Sequence, residues 1–147
     1  MNPNLPQHSD SYQAYHLDLL QQLEREIKQQ PPFDEASESL RGETEQTFLA
    51  QLHILNDSNT PPEQRNQAGQ NTLLQIVASY QHLMVLVPRS LFWYFGGECL
   101  HYLGDEELSN FQKLEEAYFE ALDSGQGVAD YAQLIALVAK ENSGKTH

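Results

Sequence analysis

Apolar residues recur at three- and four-residue steps along nearly the whole chain, and no useful stretch alternates apolar with polar at every second position. That periodicity predicts an all-α fold. After the capping pair Ser9-Asp10, the residues Tyr12, Tyr15, His16, Leu19, Leu23 and Ile27 form one stripe, predicting a first helix over 10–29 that stops before Pro31-Pro32. A second helix is expected over 34–55 with Leu40, Phe48, Leu52 and Leu55 inward, its start weakened by Gly42.

The sequence Thr60-Pro61-Pro62-Glu63 carries the strongest start signal in the chain. Thr60 serves as cap, Pro61 takes the first helical position where no donor is needed, and Glu63 completes a capping box. The third helix then runs to about Val87, burying Leu73, Ile76, Val77, Tyr80, Met84 and Val87. Pro88 restarts a helix that continues to Gly104-Asp105. The next helix points Leu108, Phe111, Tyr118, Phe119 and Leu122 inward up to Ser124-Gly125, and a last one over 128–141 aligns Val128, Tyr131, Ile135 and Val138. Short connections favour antiparallel neighbours, so the expectation is a compact single-domain bundle of five or six mostly antiparallel helices over 9–141, with frayed ends at 1–8 and 142–147.

Residues 92–108, FWYFGGECLHYLGDEEL, hold five aromatics, a glycine pair, the sole cysteine and a Glu-x-x-His spacing. On a continuous helix Phe92, Phe95, Gly96, Cys99 and Leu103 share one face, and Tyr94, Glu98 and His101 lie on the other. An apolar first turn on all sides marks a helix surrounded by others. The second aromatic side, Trp93, Tyr94, Gly97 and His101, is therefore the expected self-association surface of a homodimer, with Gly97 admitting a partner helix at close range.

Charge changes the picture of partners. Among 147 residues there are 21 acids and 8 bases, a formal charge of −13 divided almost evenly between the two halves of the chain. Nucleic-acid binding begins with neutralising phosphates, and docking on anionic lipid needs cations, so neither partner is expected. From Glu98 to Asp130 nine acids stand against one base, Lys113, a surface suited to a basic protein partner. An acidic mimic of nucleic acid is the third reading. The apolar window 73–95 contains Gln75, Gln81, His82, Arg89 and a central Pro88, which fits two buried helices meeting at a proline better than a membrane span. One cysteine cannot form an internal disulfide and the N-terminus carries no signal-peptide pattern, so the expected compartment is the cytoplasm.

Candidate chemistry is sparse. Glu98 and His101 have the i, i+3 spacing that carboxylate-bridged di-iron bundles use, and Glu115 and His16 fall within the apolar stripes of their helices. A full site needs a second Glu-x-x-His, which the chain lacks, so the metal protein is the alternative and no cofactor is expected. Cys99 reads as a small hydrophobe, since activation of a thiol requires positive charge and access. Gly96-Gly97 lacks the lysine and hydroxyl of a phosphate loop and reads as a steric device. No catalytic set is expected. The leading expectation is a non-enzymatic interaction, adaptor or chaperone-like module.

Overall fold

The computed structural model describes residues 4–124 and 131–135, with side chains described from Ser11 to Asp123 and from Tyr131 to Ile135. Every regular element among them is helical: α1 (Asn4–Ile27), α2 (Glu43–Asn56), α3 (Pro62–Ser79), α4 (Arg89–Phe95) and α5 (Asp105–Ser124), with 3-10 helices at Glu35–Leu40, Gln81–Leu86 and Gly97–Tyr102. Residues 131–135 are also helical. The all-α class holds. Contacts divide the described residues into two units, one of residues up to His16 with those from Gly104 onward, the other Leu17–Leu103.

In the Leu17–Leu103 unit, α2 and α3 form an antiparallel hairpin. Three hydrogen bonds run along it like rungs: Tyr80 Oη donates to Glu45 Oε2 (2.9 Å) at one end, Gln51 Nε2 to Gln75 Oε1 (3.3 Å) midway, and Arg65 Nη2 to the Asp57 carbonyl (3.0 Å) at the other. The last turn of α2 leaves carbonyls without intrahelical partners. Thr60 Oγ1 donates to the Ile54 carbonyl (2.9 Å), and the buried Arg65 guanidinium sits at the negative end of the helix dipole, which explains how a cation 8% exposed is accommodated without a carboxylate. The helix starts one residue later than expected and without the expected capping box: Pro62 opens α3, Pro61 takes the cap position with no side-chain cap bond, and Thr60 is engaged with α2 instead.

The predicted helices over 34–55, 60–87 and 88–104 are each shorter than the periodicity indicated. The 34–55 segment divides into a 3-10 turn and α2, separated by Arg41-Gly42; the Gly42 amide donates to Glu45 Oε1 (2.9 Å), fixing the start of α2 at Glu43. Leu40 lies outside the helical register and is 73% exposed, against the expectation that it points inward. The third helix stops at Ser79 because Tyr80 leaves helical geometry at φ −132°, ψ 55°. Val77 and Met84, expected inward, are half-buried. Tyr80 turns its ring into Phe33 and Phe48, with the three centroids 4.9 to 5.1 Å apart. Such ring pairs add about 0.5–1.5 kcal/mol each beyond burial.

The other unit is built on α5. At 100° per residue, Glu107, Leu108, Phe111, Leu114, Glu115, Tyr118, Ala121 and Leu122 fall on one side, all buried or half-buried. Leu114, Tyr118 and Tyr131 form its buried centre, with Tyr12, Tyr15, Leu134 and Ile135 against it. The Ser11 hydroxyl accepts from the Tyr131 amide (2.9 Å). Val128 and Val138, expected inward on the last helix, lie outside the described residues, as do the expected C-terminal fraying at 142–147 and most of 128–141.

Candidate functional site

The aromatic stretch beginning at Phe92 is not one helix. α4 ends at Phe95, Gly96 (φ 65°) and Gly97 (φ 57°) turn the chain in the left-handed region, and a 3-10 helix follows. Two consecutive residues with positive φ suit only glycine without strain. The inward face survives the break: Phe92, Phe95, Cys99 and Leu103 are all buried, because 3-10 and α spacing both return to the same side after three or four residues.

What holds the corner is α3. Gly69 lies beneath the Phe95 ring, where any Cβ would overlap it, and Gln70 Nε2 donates to the Phe95 carbonyl (2.8 Å) at the open end of α4. A Cβ on Gly97 would stand 2.8 Å from that same Gln70 nitrogen, so Gly97 has a function inside its own chain, distinct from the helix-to-helix approach expected of it. On the far side, Arg89 Nη2 donates to the Tyr102 carbonyl (2.8 Å) and its guanidinium lies 5.7 Å from the Phe92 ring centre. Trp93 and Tyr94 are half-buried and His101 is exposed.

Cys99 is fully buried, its thiol pushed up to about 11 by burial and then by the Glu98 charge, with Sγ directed at the Gln70 carbonyl (3.9 Å). A thiol so protonated at neutral pH is a packing group. Glu98 and His101 stand above one another on the 3-10 helix, both exposed. The other two members of the alternative ligand set lie in the α5 unit. There Tyr12 stands between them: its hydroxyl donates to Glu115 Oε2 (3.3 Å) and its carbonyl accepts from His16 Nδ1 (2.9 Å). Among the described residues no group of three or more His, Cys, Asp or Glu is placed to hold a metal ion.

The apolar-stripe positions of His16 and Glu115 were legible in sequence; their setting was not. His16 is wholly buried against Tyr12, Tyr15 and Tyr131, with ring centroids 4.7, 5.1 and 5.4 Å away. Burial lowers its pKa to about 4, outweighing the opposing hydrogen bond to Tyr12. Because its partner at Nδ1 is a carbonyl, Nδ1 carries the proton of the neutral ring. Burial, then the Glu115 charge, likewise pushes the Tyr131 hydroxyl up. These groups stay neutral near pH 7 and make a core of aromatic polar residues.

The outer face of α5 differs in kind. Asp105, Ser109, Gln112, Glu116, Phe119 and Asp123 fall within about 80° of one another on the helix, with Glu120 alongside, and all are exposed. Phe119 was expected inward and is 47% exposed, since it sits one step of the wheel beyond Glu115 at the edge of the buried stripe. Its ring is nonetheless held in place against Tyr118 (5.4 Å) and Tyr12 (6.5 Å). An ordered aromatic therefore stands among acids.

Residues 8–147 match the family described as PA2817-like. The chain belongs to that family. No curated protein and no solved structure matches it, and the family description states no activity. No described helix is long and apolar enough to cross a membrane.

Proposed function

We propose that this PA2817-like protein is a cytosolic, non-catalytic interaction module that docks a basic protein partner on the outer face of α5. The observation that carries this reading is Phe119, 47% exposed yet packed against Tyr118, and flanked by Glu116, Glu120 and Asp123. Interface energy concentrates in pre-ordered aromatics, and surrounding charge speeds encounter and selects the partner. Supporting it, the groups with most catalytic potential are turned inward: the Cys99 thiol is buried and protonated, and His16 is buried and neutral.

The test is affinity capture from the source cell with the wild type and with Phe119→Ser. A basic protein retained by the wild type and lost in a folded Phe119→Ser supports the reading; equal retention by both contradicts it. Self-association on the Trp93, Tyr94, Gly97 and His101 side is the second reading, supported by the exposure of Gly97 and His101 and the partial exposure of Trp93 and Tyr94. Light scattering decides that one, a monomer over the working concentration range excluding it.

A further inference from the structure

Two of the eight basic residues of this acidic chain line one cleft. It is a wide-mouthed, solvent-open cleft of about 630 Å³ lined by Lys28, Gln29, Phe33, Glu35, Arg41 and Leu49. All six belong to the Leu17–Leu103 unit, and they come from three segments: the turn after α1, the stretch from Phe33 to Arg41, and α2. The volume lies within the range of small-molecule sites, roughly 300–1,000 Å³.

The cleft has an apolar part and a cationic part. Leu49 is half-buried and Phe33 shows only 3% of its surface, its ring packed on Phe48 and Tyr80, so a short apolar body would rest mainly on Leu49 beside the edge of a ring already fixed in place. Arg41 is oriented before any ligand arrives, because its Nη1 donates to the carbonyls of Asp34 (3.0 Å) and Pro32 (3.4 Å). Those bonds engage one terminal nitrogen and leave Nη2 and Nε for a second acceptor, the planar pair of donors that matches a carboxylate. Lys28 adds a second cation but is bonded to Glu24 (2.9 Å), and Glu35 places one acid in the lining. With Lys28 neutralised by Glu24 and Glu35 in the lining, Arg41 is left to hold a single negative charge, and the acids oppose a polyphosphate.

We infer that this cleft is a binding site for a small organic monocarboxylate with an aromatic or compact apolar body, the carboxylate on Arg41 and the body against Phe33 and Leu49. The site is independent of the docking face on α5, since no residue of α5 lines it.

The test is a titration of the isotope-labelled protein by two-dimensional amide NMR, with phenylacetate as probe and its neutral analogue phenylacetamide as control. Saturable shifts at Gln29, Phe33, Arg41 and Leu49 are expected with phenylacetate, with binding by phenylacetamide weaker by about tenfold or more, as loss of a charge-assisted pair implies. Arg41→Gln should weaken phenylacetate by a similar factor. Lys28→Gln, which leaves the Arg41 carbonyl contacts in place, should weaken it by about threefold and decides the matter if Arg41→Gln perturbs the fold. The inference is overturned by the absence of saturable shifts, by equal binding of the amide, by unchanged affinity in a folded Arg41→Gln (or in Lys28→Gln where it alone can be read), or by displacement of phenylacetate with millimolar inorganic phosphate, which would mark an unselective anion site.

Discussion

Gly69 of α3 lies directly under the ring of Phe95, and no side chain larger than hydrogen fits between them. The contact lets α4 approach α3 closely enough for the neighbouring Gln70 to bond the Phe95 carbonyl at 2.8 Å. Gly69→Ala should destabilise the protein despite the higher helix propensity of alanine, because overpacking costs about 1–3 kcal/mol against a propensity gain of about 1. Urea denaturation of Gly69→Ala and of Gly69→Ala with Phe95→Leu measures it, the second change being expected to recover part of the loss.

Gly97 gives a related prediction with a different cause. At φ 57° any side chain is strained, by about 1–2 kcal/mol for an ordinary residue, and a Cβ also meets Gln70. Gly97→Leu should therefore lower stability and shift the amide resonances of Gln70 and Phe95. Gly97→Asn should cost less, since asparagine tolerates the left-handed region better. Equal stability of the Leu variant and the wild type would show that the corner is held by something else.

The inward set of this region was readable from the sequence, and the corner was not. Phe92, Phe95, Cys99 and Leu103 recur at steps that both helix types satisfy, so periodicity identifies the buried face without distinguishing one helix from two. The same limit let the third helix be drawn to Val87, although Tyr80 ends it by turning toward Phe33 and Phe48. Phe119 lay at the edge of its stripe, where a difference of 40° decides between core and surface. The meeting of Tyr12 with Tyr118 and Tyr131 joins residues more than a hundred positions apart, a pairing to which no local pattern points.

His16 should make stability depend on pH. Its folded pKa is lowered from 6.5 to about 4, so the unfolded chain binds a proton before the folded one does as pH falls. The neutral ring's contribution is complete above about pH 6.5 and is lost progressively down to about pH 4, by about 3 kcal/mol at most. His16→Gln removes this dependence. The check is the difference between wild type and variant in denaturation free energy at pH 7.5 and pH 4.5, which should be larger at the higher pH.

Cys99 should react only when the structure opens. Its thiol is buried and held up to about 11, so the folded protein presents almost no thiolate at pH 8. Labelling by a thiol-specific disulfide reagent should be slower than for the urea-unfolded chain by orders of magnitude and should accelerate in Gly69→Ala. Rapid labelling of the native protein would contradict the burial.

The central claim is that an acidic, aromatic-centred face of α5 binds a basic protein, and the most direct measurement is calorimetric affinity for the captured partner at two salt concentrations. The account predicts that Phe119→Ser weakens binding by about thirtyfold, equivalent to about 2 kcal/mol at a central aromatic anchor. It also predicts that Glu116→Lys with Glu120→Lys weakens binding further at low salt than at high salt, because screening removes the charge contribution. Unchanged affinity in both folded variants, with the partner still bound, would contradict it.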